Sequence, residues 1–185
     1  MTNDLSYSAC DEYMSARQGK YDWRAVRYRA AADFLSLNDL SNSDTVCDVG
    51  AGWTEFDYCL RKEYDWRGRY MPLDAGLYPL DLNHWVPERP VEFYVALEIL
   101  EHLDDPARLL DQMVRTATKG IAISVPNPRT VDVLGIDATH VSIPDRALFE
   151  SRGFFVEEKT FYGGVFSNGE PDSLFAVYTA NDTLV

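Results

Sequence analysis

Short apolar runs that alternate with helix-length amphipathic segments are the feature that most constrains this chain. Apolar runs that end in turn residues predict buried strands, and apolar residues at helical spacing between them predict helices. We predict seven strands, over residues 45–50, 69–73, 78–82, 91–97, 121–125, 154–161 and 174–179. We predict helices over 22–38 with Asp22 as N-cap, 54–64, 106–118 and 144–152. This alternation predicts an α/β fold with a mainly parallel sheet, and the last two strands, which no helix separates, add an antiparallel pair.

The composition is that of a globular protein, with 46% hydrophobic and 25% charged residues in a chain of 185. A net charge of −13 makes extended nucleic-acid binding unfavourable. Three cysteines without a CxxC pair indicate neither a disulfide framework nor a zinc ribbon. The amino terminus is not a signal peptide, and no apolar run approaches a membrane span. We therefore expect a cytoplasmic protein with no membrane partner, divided into an N-terminal arm (1–20) and a single domain (21–185).

Acidic residues follow four of the predicted strands, which is where ligands of parallel sheets bind. Asp48 precedes the glycine turn Gly50-Ala51-Gly52, whose glycines allow close approach of a ligand to the backbone. Asp74 follows the second strand, Asp81 and Leu82 the third, and Glu98 the fourth. Taken singly, each has a plainer interpretation as a tight turn, an exposed turn residue or a helix cap. Four such strand ends together favour a ligand site.

The segments VCDVGAG (46–52), LDAG (73–76), LDLN (80–83) and ALEILEHLDDP (96–106) resemble the class I S-adenosylmethionine-dependent methyltransferases. ISVPNP (123–128) and residues 140–158 extend the resemblance to residues 44–180. The LEHL segment is similar to the small-molecule and RNA-ribose O-methyltransferase branches. The resemblance implies a Rossmann-like seven-stranded sheet and S-adenosylmethionine as cofactor.

The resemblance also implies a role for each strand end. Asp48, Gly50, Ala51 and Gly52 would line the methionine part of the cofactor, Asp74 would hold the ribose, Asp81 and Leu82 would flank adenine, and Glu98 would face the methyl group and the acceptor. The chain departs from the family in two places. Thr54 stands where a third glycine is usual, and only six residues separate Asp74 from Asp81. The helix that normally lies between them (αB of the family) is therefore expected to be abbreviated.

Glu98, Glu101 and His102 stand at i, i+3 and i+4, so they would share one face of a helical turn. With His140 from a later loop they could bind Mg²⁺ or Mn²⁺, as in the ubiquinone-pathway O-methyltransferases and small-RNA 2′-O-methyltransferases that this set resembles. The alternative is a metal-free site in which His102 or His140 is the general base. Glu98, His102 and His140 are thus the candidate catalytic residues.

The resemblance implies methyl transfer to oxygen or nitrogen of a small-molecule or nucleoside-containing acceptor. Two alternatives stay open: a nucleic-acid-modifying methyltransferase, and a catalytically degenerate binding or regulatory module. The sequence lacks the (D/N)PPY and Pro-Cys signatures of DNA base methylation. Aromatic residues near the amino terminus could form a lid over the substrate or simply pack in the core: Tyr7, Tyr13, Tyr21 and Trp23. The sequence specifies neither the acceptor nor the oligomeric state.

Overall fold

A computed structural model describes residues 7–77 and 79–180, with side chains from residue 21 onward. Its helices are α1 (Tyr7–Leu37), α2 (Glu55–Glu63), α3 (Pro106–Thr116), α4 (Val133–Ile136) and α5 (Arg146–Glu150), with a 3₁₀ turn at Leu100–His102. Its strands are β1 (Thr45–Val49), β2 (Arg69–Leu73), β3 (Val91–Leu97), β4 (Ala117–Pro126), β5 (Phe155–Lys159) and β6 (Ser173–Thr179). A helix lies between β1 and β2 and another between β3 and β4, as predicted, whereas β2 leads to β3 without a helix.

The six strands form one sheet in the order β2-β1-β3-β4-β6-β5. The first four strands pair in parallel, whereas β6 pairs antiparallel with both β4 and β5. The prediction of a mostly parallel α/β sheet with an antiparallel pair at the end of the chain is confirmed. The carboxyl ends of β1, β2, β3 and β4 consequently meet at one edge of the sheet.

The predicted third strand, over 78–82, is absent from the described part of the chain, where residues 79–82 are irregular and Tyr78 is outside the description. Local turns explain this, because the Asp81 carboxylate accepts a hydrogen bond from the Asn83 amide at 2.9 Å. Asp74 closes a similar turn onto the Gly76 amide at 2.7 Å. Residues 74–77 and 79–81 contain no helix, which agrees with the predicted abbreviation.

Helix α1 begins at Tyr7, so the prediction that Asp22 caps its amino terminus was wrong. Residues 7–20, which were expected to form a loose arm, continue the same helix. Ala25, Ala31 and Leu35 bury their side chains against the sheet, and this tertiary contact stabilises the helix independently of any cap at Asp22.

Both faces of the sheet are covered, because successive strand residues point to opposite sides. Val46 and Phe93 pack in one buried cluster with α1 and α2. Cys47 and Tyr94, the next residues along, pack in the other cluster with α3. Among the described residues, no helix has the length and apolar character needed to cross a membrane.

Candidate active site

A cavity of about 390 Å³ lies at the carboxyl edge of the parallel strands. Its volume is in the range of small-molecule sites. Eight of the residues predicted for the site line it: Asp48, Gly50, Ala51, Gly52, Glu98, Glu101, His102 and His140. The sheet edge forms one part of its wall, and α1, the start of α2, the segment between β4 and α5 and the loop between β5 and β6 contribute the others.

The glycine turn after β1 needs its glycines. Gly50 has φ +76°, and a Cβ atom there would lie 2.4 Å from Cγ1 of Ile99. The amide of Gly52 donates to Oδ2 of Asp74 at 2.9 Å, which ties the end of β2 to this turn. Asp74 therefore adjoins the glycine turn, although it is not among the cavity-lining residues.

Asp48 is buried at the end of β1, and the hydroxyl of Tyr70 donates to its Oδ2. Burial raises the pKa of this carboxyl to about 7, although the Tyr70 hydrogen bond acts in the opposite direction. The nearby carboxylates of Glu55 and Asp57 add to the rise, and Arg27 opposes it. A carboxyl group with this pKa can carry or lose a proton near neutral pH.

Glu98 follows β3 in the left-handed backbone region, with φ 58°. Its amide donates to the carbonyl of Ser124 at 2.9 Å, and the Ser124 hydroxyl donates to its Oε1 at 2.7 Å. Nη1 of Arg27 lies 3.8 Å from the same oxygen. Such a conformation is costly for a residue with a Cβ atom, and contacts from β4 and α1 hold it in place.

Glu101, His102 and His140 form a cluster in which one ligand atom from each lies within 4.8 Å of the others. Nδ1 of His140 lies 2.6 Å from the carbonyl oxygen of Val133, and Nδ1 of His102 lies 3.2 Å from that of Thr139. A carbonyl only accepts, so Nδ1 of His140 carries the proton in a neutral ring and its Nε2 is left as an acceptor. Nδ1 of His102 also lies 3.0 Å from the Thr139 hydroxyl, which donates to Asp137 and therefore accepts from Nδ1, so Nε2 of His102 is an acceptor too. Glu98 does not belong to this cluster.

Glu101 is 1% exposed, and its Oε2 has no hydrogen-bond partner within the described residues. Its Oε1 lies 4.0 Å from Nε2 of His140. Burial, followed by the charge of Glu98, raises the pKa of Glu101 well above its usual value. The cluster thus combines a carboxyl group that favours its protonated form with two imidazole acceptors.

Three of the predicted cofactor residues stand outside the cavity lining: Asp74, Asp81 and Leu82. Asp81 is exposed and pairs with Nδ1 of His84 at 2.7 Å, and this hydrogen bond lowers the pKa of Asp81. Leu82 is buried in the α3-side core. Among the aromatic lid candidates, Trp23 lines the cavity, whereas Tyr21 is buried and donates to Glu63 at 2.7 Å. The side chains of Tyr7 and Tyr13 lie outside the described residues.

Arg27 is the most prominent residue that the sequence did not reveal. It is 5% exposed, lines the cavity and donates from Nη1 to the Tyr162 hydroxyl. Its Nε has no partner in the described structure. Arg24, one turn earlier, also lines the cavity and lies 3.5 Å from Glu55. The sequence signal that could have assigned Arg24 and Arg27 to the cavity is their spacing with Trp23, which places all three on one face of the helix.

Thr54, which replaces the usual third glycine, has φ 68° and ψ 28° at the start of α2. The backbone there keeps the left-handed conformation that glycine adopts most easily. Threonine at this position therefore does not change the backbone conformation of the turn.

No protein-family model matches the chain. Among curated proteins it is similar to the trans-aconitate 2-methyltransferase of Azoarcus sp. (strain BH72), with 27% identity over 121 residues. The match covers 57% of this chain, and the chain spans about half of that relative, 47% of its length.

Solved structures extend the likeness to most of the chain. A sarcosine dimethylglycine methyltransferase from Galdieria sulphuraria superposes with a TM-score of 0.64 and 11% identity, over 85% of this chain and 86% of that one. The fold is that of the S-adenosylmethionine-dependent methyltransferases. The plantazolicin methyltransferase BpumL, solved with S-adenosylhomocysteine, matches with a TM-score of 0.60 and 12% identity, over 97% and 91% of the two chains. The curated relative and both solved structures bear the names of methyltransferases.

Proposed function

We propose that this methyltransferase-fold chain transfers the methyl group of S-adenosylmethionine to an oxygen or nitrogen of a small-molecule acceptor. One observation carries the proposal: the glycine turn, Glu98 and the acceptor nitrogens of two histidines belong to residues that line a single cavity. The relatives from Azoarcus and Galdieria bear the names of small-molecule methyltransferases, which supports an acceptor of that class. A nucleoside-containing acceptor falls within the same proposal.

The cofactor is proposed to lie along the ends of β1 and β2. Asp48 and the turn Gly50-Ala51-Gly52 would contact its methionine part, and Asp74 would hold the ribose hydroxyls. The Asp74 carboxylate is already ordered by the amides of Gly52 and Gly76, which leaves lone pairs for further donors. Asp81 and Leu82 are proposed to flank adenine, outside the enclosed cavity.

When bound, S-adenosylmethionine supplies a methyl group already activated by its sulfonium charge. The residues of this chain then have to orient the acceptor and exclude water, since alignment of reacting groups lowers a barrier by several kcal/mol. Glu98, held by Ser124 and facing Arg27, is a fixed carboxylate among the residues that line the cavity. It is placed to hydrogen-bond a hydroxyl or amine of an acceptor.

His140 is proposed as the general base. Its Nδ1–H donates to the Val133 carbonyl, so its Nε2 presents a lone pair to the proton of an acceptor. His102 has the same arrangement against Thr139 and is the second candidate. Removal of the base costs about 10² to 10⁴-fold in rate. We expect His140→Gln to lower methyl transfer on that scale while affinity for S-adenosylhomocysteine stays unchanged.

A divalent cation is the alternative way to activate an acceptor oxygen. Glu101, His102 and His140 would hold Mg²⁺ or Mn²⁺, and the unpartnered Oε2 of buried Glu101 together with two Nε2 acceptors fits such an ion. Glu98 as a fourth ligand has no support, because its carboxylate is engaged by Ser124 and lies beside Arg27. Activity that persists after complete removal of metal by a chelator rejects the cation and leaves the histidine base.

The deciding experiment is calorimetric titration of the protein with S-adenosylhomocysteine. Wild type is expected to bind, and Asp74→Ala to bind at least about tenfold more weakly, a loss of about 1.4 kcal/mol. Asp111→Ala is the matched control, since this exposed aspartate on α3 pairs with Arg152 and does not line the cavity. Absence of wild-type binding would reject the enzymatic proposal.

A catalytically degenerate binding module is the competing function from another class. It would bind S-adenosylhomocysteine in the same titration yet form no product from S-adenosylmethionine with a panel of small carboxylates, amines and nucleosides. Nucleic-acid modification is disfavoured by the net charge of −13. Three further points stay predictions: membership of the methyltransferase branch that the LEHL segment resembles, a cytoplasmic location, and a domain boundary at residue 20.

A further inference from the structure

The loop between β5 and β6 folds around one buried carboxylate. Asp172 is 2% exposed, and its oxygens accept from the amides of Phe161 at 2.8 Å, Tyr162 at 3.0 Å and Gly164 at 2.8 Å. The hydroxyl of Ser173 donates to the same carboxylate at 2.9 Å. Four donors on one side chain make Asp172 the organising group of this loop.

The loop depends on such an acceptor because its backbone is irregular. Gly163, Gly164 and Gly169 have φ of +68°, +73° and +89°, and Asn168 has φ 54°. A chain that turns in this way forms no ladder or helix to pair its amides, and unpaired buried amides are costly. The Asp172 carboxylate accepts hydrogen bonds from three of the loop's amides.

The loop presents aromatic side chains to the cavity. Tyr162 and Phe166 both line it, with ring centroids 6.0 Å apart, and Trp23 of α1 meets Tyr162 edge-on at 5.2 Å. The Tyr162 hydroxyl accepts from Nη1 of Arg27. The loop and α1 therefore meet at Tyr162.

The order of strands separates this loop from the proposed cofactor side. The glycine turn and Asp74 follow β1 and β2 at one end of the sheet, whereas the loop joins β5 and β6 at the other end. Resting on the proposed function, we infer that Asp172 is a positioning residue that holds Tyr162 against Trp23 and Arg27 and so builds the acceptor wall of the cavity. Asp172 also belongs to the cavity lining, but its carboxylate is engaged by four donors of the loop, so its role is to position Tyr162.

The test uses 5-fluorotryptophan-labelled full-length chain and the ¹⁹F signal of Trp23, assigned from Trp23→Phe. Asp172→Asn keeps one acceptor oxygen and loses the other, so two of the four hydrogen bonds go. We expect its Trp23 signal to shift or broaden as it does in Tyr162→Phe, while the signals of Trp53, Trp66 and Trp85 stay in place. Asp105→Asn makes the same change in a side chain that accepts from one amide at the start of α3, so it is the control and leaves Trp23 unmoved.

Hydrogen exchange and cofactor titration complete the test. Amides 161–164 are expected to exchange at least about tenfold faster in Asp172→Asn, with affinity for S-adenosylhomocysteine within about twofold of wild type. An unmoved Trp23 signal, or a tenfold loss of affinity for S-adenosylhomocysteine, overturns the inference. If Asp172→Asn fails to fold, Ser173→Ala removes a single bond and is judged by the same signals. A wild type that binds no S-adenosylhomocysteine would reject the proposed function, whereas the fluorine signals still decide the role of Asp172.

Discussion

Replacement of Gly50 by alanine tests the close contact between the glycine turn and the residue after Glu98. The new Cβ would lie 2.4 Å from Cγ1 and 2.6 Å from Cβ of Ile99, atoms near the backbone that cannot swing away. The φ of +76° adds the cost of a left-handed residue, about 1–2 kcal/mol. Overlap in a packed site adds about 1–3 kcal/mol. We expect Gly50→Ala to lower the free energy of unfolding by about 2–5 kcal/mol.

Gly163→Ala isolates the backbone part of that cost. Gly163 has φ +68°, but nothing lies within 4 Å of its added Cβ. The effect of alanine on the unfolded chain is the same in both variants and cancels in the difference. Urea unfolding followed by circular dichroism should place Gly50→Ala about 1–3 kcal/mol below Gly163→Ala at equal m-value. If the two variants agree within about 0.5 kcal/mol, the contact with Ile99 is not a constraint on the turn and the steric argument fails.

Three further outcomes are expected from equilibrium unfolding. The pKa of Asp48 rises from 3.8 to about 7 on burial, so the native state binds more protons between these values and its stability falls by about 3 kcal/mol as pH rises from 4 to 7. Asp48→Asn should lack this fall, and an unchanged pH profile contradicts it. Arg108→Ala loses hydrogen bonds to the carbonyls of residues 83–85 and should cost about 1–3 kcal/mol, whereas exposed Arg115→Ala should cost little. Tyr21→Phe should cost about 1 kcal/mol through its bond to Glu63, and a loss above 3 kcal/mol would indicate repacking.

The strand ends could be predicted because parallel strands bring their carboxyl ends to one edge. Asp48 and Glu98 are about fifty residues apart, yet β1 and β3 are neighbours and both side chains line the cavity. The pairing of His102 with His140 was also predicted, and their rings lie 4.6 Å apart. The strand-end prediction needed only the alternation of strands and helices, whereas the family resemblance supplied the pairing of His102 with His140.

The roles of Arg27 and Asp172 could not be predicted, because they depend on which helix face and which loop meet in space. The sequence pattern around Arg27 is equally compatible with a helix that exposes this guanidinium group to solvent. Asp172 sits in a turn-rich segment where an aspartate is ordinary. The predicted strand over 78–82 failed for the opposite reason, since the local turn at Asp81 outweighs its apolar run.

The missing strand has a consequence for how copies of this protein meet each other. Without it, β2 is the edge of the sheet in the described structure. The amide of Arg69 and the carbonyl of Leu73 both point toward β1, where they bond to Asp44 and Gly50. In a parallel strand the backbone groups of alternate residues face the same neighbour, so those of residue 72 face away from β1, toward the open edge. That residue is proline, which has no amide hydrogen to offer. The exposed edge therefore lacks a hydrogen-bond donor at residue 72, which disfavours pairing with a strand from another chain and so opposes aggregation at this edge.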